Sequence, residues 1–279
     1  MAETSIPQSR HARQTSEWNW SADRQKLPLL LASLPISIFL LLPLVALILR
    51  ISPTQLLINL LNQQVAQAIR LSMITTLITL ALTIVAGTPL AYLLARRTFR
   101  GRTLLDTLID LPMVLPPSVA GIALLVAFGR RGLLGQYIGA AGLEIAFTPA
   151  AVVLAQTFVA APFYIKAAMA GFAAVDRELE QAAALDGAAG FQVLRYVTLP
   201  LAGGALLAGA VMTWARALGE FGATIIFAGN FPGRTQTMPL AIYLGFELEL
   251  NVALTLAVIL LGTSFAVLFV VKSVLRQQI

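Results

Sequence analysis

Two opposite charges lie in an otherwise apolar stretch of the chain. In WARALGEFGAT, Arg216 and Glu220 are four residues apart, so a helix places both on one face, where they can pair. Charges inside a membrane cost about 2.5–3.5 kcal/mol each and normally face a protein interior or a pathway. The pair is therefore either a structural ion pair that fixes a helix or, through Arg216, a source of positive potential for an anion route. Gly219 and Gly222 beside it would permit close approach between helices.

A second unusual stretch, DLPMVLPPSVAG, contains Pro112, Pro116 and Pro117. Each proline removes a backbone donor, and each kinks or interrupts a helix. Carbonyl groups freed in this way are tolerated at membrane depth only inside protein or beside water. A structural kink is the simpler interpretation, and Pro116 and Pro117 are also candidates for lining a pathway.

Catalytic side chains are scarce. The chain has no cysteine, and its one histidine, His11, lies in a polar tail, so the usual nucleophile, general base and thiolate metal ligands are missing from the apolar part. No lysine follows a glycine, which excludes a G-x-x-x-x-G-K-[ST] phosphate loop. We therefore predict no catalytic, cofactor-binding or metal-binding residue in this chain.

The elements that carry these residues are long apolar segments. The sequence is 58% hydrophobic and 11% charged, against about 25% charged in soluble proteins. A membrane-spanning helix needs about 20 apolar residues. Runs of suitable length predict an all-α membrane protein with six transmembrane helices: Leu27–Leu49, Leu71–Ala95, Leu104–Phe128, Phe147–Ala170, Leu201–Ala228 and Leu250–Val271.

Basic residues predict the orientation, because they are retained in the cytoplasm. They concentrate in the N-terminal tail, the second-to-third and fourth-to-fifth connections and the C-terminus, whereas the opposite loops hold only Arg50, Arg130, Arg131 and Arg234. Both termini are therefore expected in the cytoplasm. We predict a disordered cytoplasmic tail over residues 1–26, a first helix and outer loop over 27–64, a helical membrane core over 65–271 and a short cytoplasmic C-terminus over 272–279.

The connection between the fourth and fifth runs reads GFAAVDRELEQAAALDGAAGFQVLRYVTL, Gly171 to Leu199. Acidic residues followed by alanines predict a short helix, which Gly187 would end. A second short helix should follow, with Phe191, Leu194 and Val197 on one face. Such a pair of helices lying on the membrane surface can insert into a cleft on a partner.

This connection resembles the signature loop of ABC importer permeases: two alanines, three residues, a glycine, nine residues, then an aliphatic residue, one residue and Leu-Pro. The resemblance implies a type I (MetI-like) permease fold over roughly residues 65–271 and a loop that docks on a separate ATPase. Gln181 stands where the family often has Glu, which leaves open which acid contacts the ATPase. The coupling residues implied are Glu180, Gln181, Ala182, Ala183, Asp186, Gly187, Val197, Leu199 and Pro200.

Three stretches also resemble the molybdate, tungstate and sulfate permeases within this family: the G-E-F-G segment, DLPMVLPPSVAG and NFPGRTQTMPLAIY. The resemblance implies a homodimer in the plasma membrane, an extracytoplasmic oxyanion-binding protein, and ATP with Mg²⁺ on the ATPase subunits. Molybdate, with tungstate, is the expected cargo, and sulfate or thiosulfate is the alternative. A gradient-driven anion transporter is a weaker rival, since Glu220 is the only acid suited to ion coupling and no repeat is apparent.

The remaining charged residues receive simpler expectations. Asp106 and Asp110 should be solvated or paired with arginine near the cytoplasmic end of the third run, and Lys166 should extend toward the lipid phosphates. Arg130 and Arg131 are expected to be solvated in an outer loop, where a delivered anion or a binding protein can also reach them.

Overall fold

The computed structural model describes residues 22–276, with side chains described from 28 to 273. Every regular element in this range is helical. The helices are α1 (Ala22–Arg50), α2 (Pro53–Leu60), α3 (Gln63–Arg96), α4 (Arg102–Val114), α5 (Pro117–Phe128), α6 (Gly135–Ala140), α7 (Pro149–Ala174), α8 (Arg177–Leu185), α9 (Gly190–Val193), a π-helical turn (Leu194–Thr198), α10 (Leu199–Leu201), α11 (Gly203–Leu218), α12 (Gly222–Phe227), α13 (Met238–Leu248) and α14 (Leu250–Arg276).

The chain divides into two units at residue 48. The described part of the first unit is helix α1, which begins at Ala22, before the apolar run expected from Leu27. Its described leucines and isoleucines are exposed except for Leu47, as suits a helix that is apolar all round. Residues 1–21 of the predicted disordered tail, which include His11, lie outside the described residues, whereas residues 22–26 of that tail belong to α1 and are helical.

Four helices, α1, α3, α7 and α14, are long and apolar enough to cross a membrane by themselves. Two bent pairs also qualify, α4 with α5 and the α9–α10 segment with α11, so six crossings result only if each pair is one span. The expected continuous helices Leu104–Phe128 and Leu201–Ala228 are therefore wrong in detail. The first is broken after Val114 and bent by 118°, and the second ends at Leu218.

Proline chemistry explains the first break. Leu115, which precedes Pro116, adopts the extended conformation that a following proline favours (φ −66°, ψ 138°). Pro117 then occupies the first position of α5, where its missing N–H costs nothing. Pro112, by contrast, is accommodated inside α4 and is buried. Two adjacent prolines thus end one helix and start the next, which is more than the expected kink.

Within the second unit, α3, α7 and α11 form the centre of the packing. One buried cluster joins them through Ala91, Tyr164, Phe172 and Ala210. A second cluster packs α5 and α12 on α7, and a third packs α13 and α14 on α3 and α11. Alanine is the commonest residue of the first two clusters, as expected where helices approach closely in lipid, whereas the third consists mainly of larger side chains.

Candidate functional site

Arg216 and Glu220 form the ion pair that their spacing predicts. The Arg216 Nη1 atom lies 2.7 Å from Glu220 Oε2, and the Glu220 side chain is only 1% exposed, against 29% for Arg216. Glu220 is not on the same helix, however, because α11 ends at Leu218. Its other oxygen, Oε1, accepts a hydrogen bond of 2.8 Å from the backbone N–H of Ala223 in α12. One carboxylate therefore joins the end of α11 to the start of α12.

The helices α5 and α12, which follow the two breaks, pack against each other through glycines. A Cβ atom added to Gly222 would lie 2.7 Å from Pro117 Cβ, and one added to Gly121 would lie 2.8 Å from the Ala223 carbonyl oxygen. The close approach predicted at Gly222 is confirmed. The same expectation for Gly219 is wrong: this residue is the C-cap of α11, and an added Cβ would touch only its own helix, 3.7 Å from the Ala215 carbonyl oxygen.

Helix α8 is the short helix predicted in the signature loop. The Asp176 carboxylate caps its start by accepting a 2.9 Å hydrogen bond from the backbone N–H of Glu178. Gly187 ends it with a left-handed backbone (φ +92°). The N–H groups of Gly187 and Ala188 bond to the carbonyls of Ala184 and Ala183, which is the Schellman arrangement. Both the helix and its glycine stop are confirmed.

The second part of the loop differs from the predicted amphipathic helix. After the short helix α9 the chain makes a π-helical turn, in which the Leu199 N–H bonds to the Leu194 carbonyl five residues earlier. A spacing of three residues therefore no longer marks one face. Phe191 is 71% exposed, and the buried residues are Val193 and Thr198.

Glu180 is bonded within the chain. Its Oε1 atom lies 3.0 Å from Arg96 Nη2 and accepts a 2.7 Å hydrogen bond from the Thr198 hydroxyl. Arg96 Nη2 also donates to the Val175 carbonyl at 2.8 Å. The Arg96 and Glu180 side chains are only 8% and 16% exposed. Glu180 thus connects α8 to the end of α3 and to the π-helical turn, whereas the neighbouring Gln181 is exposed.

Asp106, Asp110 and Lys166 form a cluster that was not predicted from the sequence. Lys166 Nζ in α7 lies 2.6 Å from Asp106 Oδ1 and 2.9 Å from Asp110 Oδ2, both on α4. The aspartates are therefore paired with lysine, not with arginine, and Lys166 faces a neighbouring helix. Asp106 and Asp110 are one helical turn apart, a spacing that lets a single lysine reach both.

Comparison with known proteins supports the resemblance to ABC importer permeases. Residues 87–276 match the family described as "Binding-protein-dependent transport system inner membrane component". The chain belongs to this family of permeases. The match includes α8, the Arg96–Glu180 contact and the Arg216–Glu220 pair. This family membership confirms the resemblance to ABC importer permeases that was drawn from the signature loop. The family description names a membrane component of a transport system.

Individual relatives indicate which subgroup of the family the permease resembles. The permease is 42% identical over 223 residues to the "Molybdenum transport system permease protein ModB" of Mycobacterium tuberculosis, covering 80% of this chain and 84% of the relative. It is 39% identical over 248 residues to the "Probable molybdenum ABC transporter permease protein HVO_B0370" of Haloferax volcanii, covering 88% and 89%. Both alignments extend well beyond the signature loop, so the sequence similarity is not confined to one motif.

Solved structures confirm the predicted fold. A bacterial ABC transporter involved in alginate import superposes with a TM-score of 0.69 at 16% identity, covering 91% of the permease and 94% of that chain. An inward-facing form of the MetNI methionine ABC transporter gives a TM-score of 0.60 at 18% identity, covering 76% and 95%. At such low identity these likenesses establish the all-α ABC importer permease fold alone.

Proposed function

We propose that this permease is the membrane subunit of an ATP-driven importer that carries molybdate into the cytoplasm. The observation that carries the proposal is the combination of a capped coupling helix, α8, with relatives named as molybdenum permeases at 42% identity. The predicted orientation places α8 and both termini on the cytoplasmic side of the plasma membrane. Tungstate has the same charge and shape as molybdate and is a second expected cargo.

The proposal requires partners. A separate ATPase dimer binds ATP and Mg²⁺ and receives α8, an extracytoplasmic protein delivers the oxyanion, and a second copy of this chain completes the pathway. The permease itself contributes no catalytic residue. The ATPase can shift the conformational equilibrium of the permease only if its contacts differ between the two conformations. The helix α8, which contacts the ATPase, must therefore be connected to the membrane spans. The contacts of Glu180 with Arg96 and Thr198 supply such a connection.

The broken spans suit a route for an anion. The Arg216–Glu220 pair and the Gly222–Pro117 contact lie where α11, α12 and α5 meet. In this proposal Arg216, Glu220, Gly219, Gly222, Pro116 and Pro117 line or support the pathway. The two short helices, α5 and α12, would move as a packed pair when the ATPase draws α8 inward.

The test is uptake into proteoliposomes that hold the permease, its ATPase and its binding protein. We expect ATP-dependent uptake of molybdate and tungstate exceeding that of sulfate. Gly187→Pro should abolish uptake, because proline cannot adopt φ +92°. Gly190→Pro is the matched control: it occupies the first position of α9, where proline is tolerated. Uptake without ATP would favour a gradient-driven transporter, and a preference for sulfate would favour the sulfate subgroup.

A further inference from the structure

A cavity of about 960 Å³ lies at the end of the second unit that the charge distribution predicts to be extracytoplasmic. Its walls come from the α5–α6 connection, helix α6, the segment before α7 and the loop before α13. Its lining includes charged and aromatic side chains from all of these except α6: Phe128, Arg130, Arg131, Glu144, Phe147 and Arg234.

The cavity has an excess of positive charge. Arg130 Nη2 lies 2.8 Å from Glu144 Oε1, and this hydrogen bond raises the pKa of Arg130, which stays charged. Within the described residues, Arg131 and Arg234 form no salt bridge with a carboxylate. The cavity lining thus contains three arginines and one carboxylate, all on exposed side chains. A concave surface of one sign concentrates the electrostatic field and attracts ions of opposite charge.

The wall of the cavity is held in an unusual backbone conformation. Phe147 has φ +63°, which is disfavoured for a bulky residue, and its N–H donates to the Phe227 carbonyl at 3.2 Å. Its ring packs edge-on against Phe231, with centroids 6.4 Å apart. Such backbone outliers cluster at ligand-binding and switch regions. The positive φ of Phe147 is therefore a second indication, independent of charge, that this wall has a function.

Arg234 is also placed by a defined turn. Its backbone N–H bonds to the Phe231 carbonyl at 3.1 Å, and Gly233 before it has φ +72°. A Cβ atom on Gly233 would lie 2.9 Å from Gln67 Oε1, so the turn is packed tightly against α3. Arg234 therefore extends from an anchored loop.

We propose that this cavity is an outer binding site for the tetrahedral oxyanion dianion, with Arg131 and Arg234 as its ligands. Each planar guanidinium can donate two parallel hydrogen bonds to two oxygens of such an anion. The two positive charges without a carboxylate partner match the two negative charges of the cargo. Glu144 neutralises the third arginine. The inference rests on the proposed function, since it takes the cargo to be an oxyanion.

A small anion fits the observations better than the acidic surface of a docked protein. The charged side chains are exposed to solvent and border a concave cavity, which a small ion can enter, whereas a flat acidic surface would contact only its rim.

The test measures equilibrium binding of radiolabelled molybdate to the permease–ATPase complex in nanodiscs, without the binding protein and up to millimolar concentrations. The wild-type complex should show a saturable site that sulfate competes for and that weakens as salt is raised. The double variant Arg131→Gln/Arg234→Gln should lose at least tenfold in affinity at this site. Arg50→Gln is the control, since it removes an arginine that does not line the cavity.

A second measurement gives the affinity of the binding protein for each immobilised complex. Loss of anion binding in the double variant, with docking of the binding protein unchanged, supports the inference. If the wild-type complex binds no anion, or if the double variant binds it normally, the inference is wrong. Loss of docking alone would show that the arginines hold an acidic protein surface. Uptake assays stay separate: a wild-type complex that imports molybdate but has no outer site would refute this inference and leave the proposed function standing.

Discussion

Replacing Glu180 tests whether α8 is coupled to the spans through its internal ion pair. Glu180→Gln removes the charge that compensates Arg96, a guanidinium only 8% exposed. Removing one partner of a buried pair costs about 3–5 kcal/mol, because the other charge is left without compensation. Since Glu180 is 16% exposed and Arg96 keeps its bond to the Val175 carbonyl, the lower end applies. A loss of about 3 kcal/mol weakens the local docking of α8 by roughly 100-fold.

We expect the Glu180→Gln complex to assemble and hydrolyse ATP while importing less oxyanion per ATP hydrolysed. The exposed residues Gln181 on α8 and Asp186 directly after it are unchanged and still available to the ATPase. Uptake and ATP hydrolysis are measured in the same proteoliposomes. Hydrogen exchange of the α8 backbone reports the loosening directly, because local opening exposes the helix amides.

Two further variants sharpen this test. Glu178→Gln, an exposed residue on the same helix that forms no described salt bridge, should behave as the wild type. Arg96→Met/Glu180→Met removes both charges and should recover part of the coupling, since apolar replacements of a buried pair are often tolerated. The reasoning is refuted if Glu180→Gln matches Glu178→Gln. It is also refuted if Glu180→Gln abolishes ATPase binding with α8 exchange unchanged, which would place Glu180 in the partner interface.

Two other predictions concern the broken spans. Glu220→Gln leaves Arg216 without its carboxylate and should lower the free energy of unfolding by about 3 kcal/mol, which a reduced thermal midpoint in detergent would show. The double variant Arg216→Met/Glu220→Gln should recover part of this stability. A double variant no more stable than Glu220→Gln would contradict the pairing. Gly121→Val should destabilise by about 1–3 kcal/mol in the same assay, because its Cβ would meet the Ala223 carbonyl at 2.8 Å, whereas Gly139→Val, with open space around it, should have little effect.

Local sequence determined several features of this permease. Apolar runs predicted the four long helices α1, α3, α7 and α14, because burial in lipid depends on composition over about 20 residues. The helix α8 and its stop at Gly187 were predictable because a capping aspartate, helix-forming alanines and a left-handed glycine act within one short segment. The pairing of Arg216 with Glu220 followed from a spacing of four residues.

Tertiary structure decided the features that depend on distant partners. Arg96 and Glu180 are separated by 84 positions, and Lys166 and Asp106 by 60, so no local pattern could join them. The prolines after Val114 predicted a disturbance, but its 118° bend depends on the packing of α5 against α12 and α7. Sequence thus determined which segments prefer the membrane and where α8 starts and stops. Packing between helices decided which charges from distant segments meet, because that depends on the relative placement of segments that local preferences leave free.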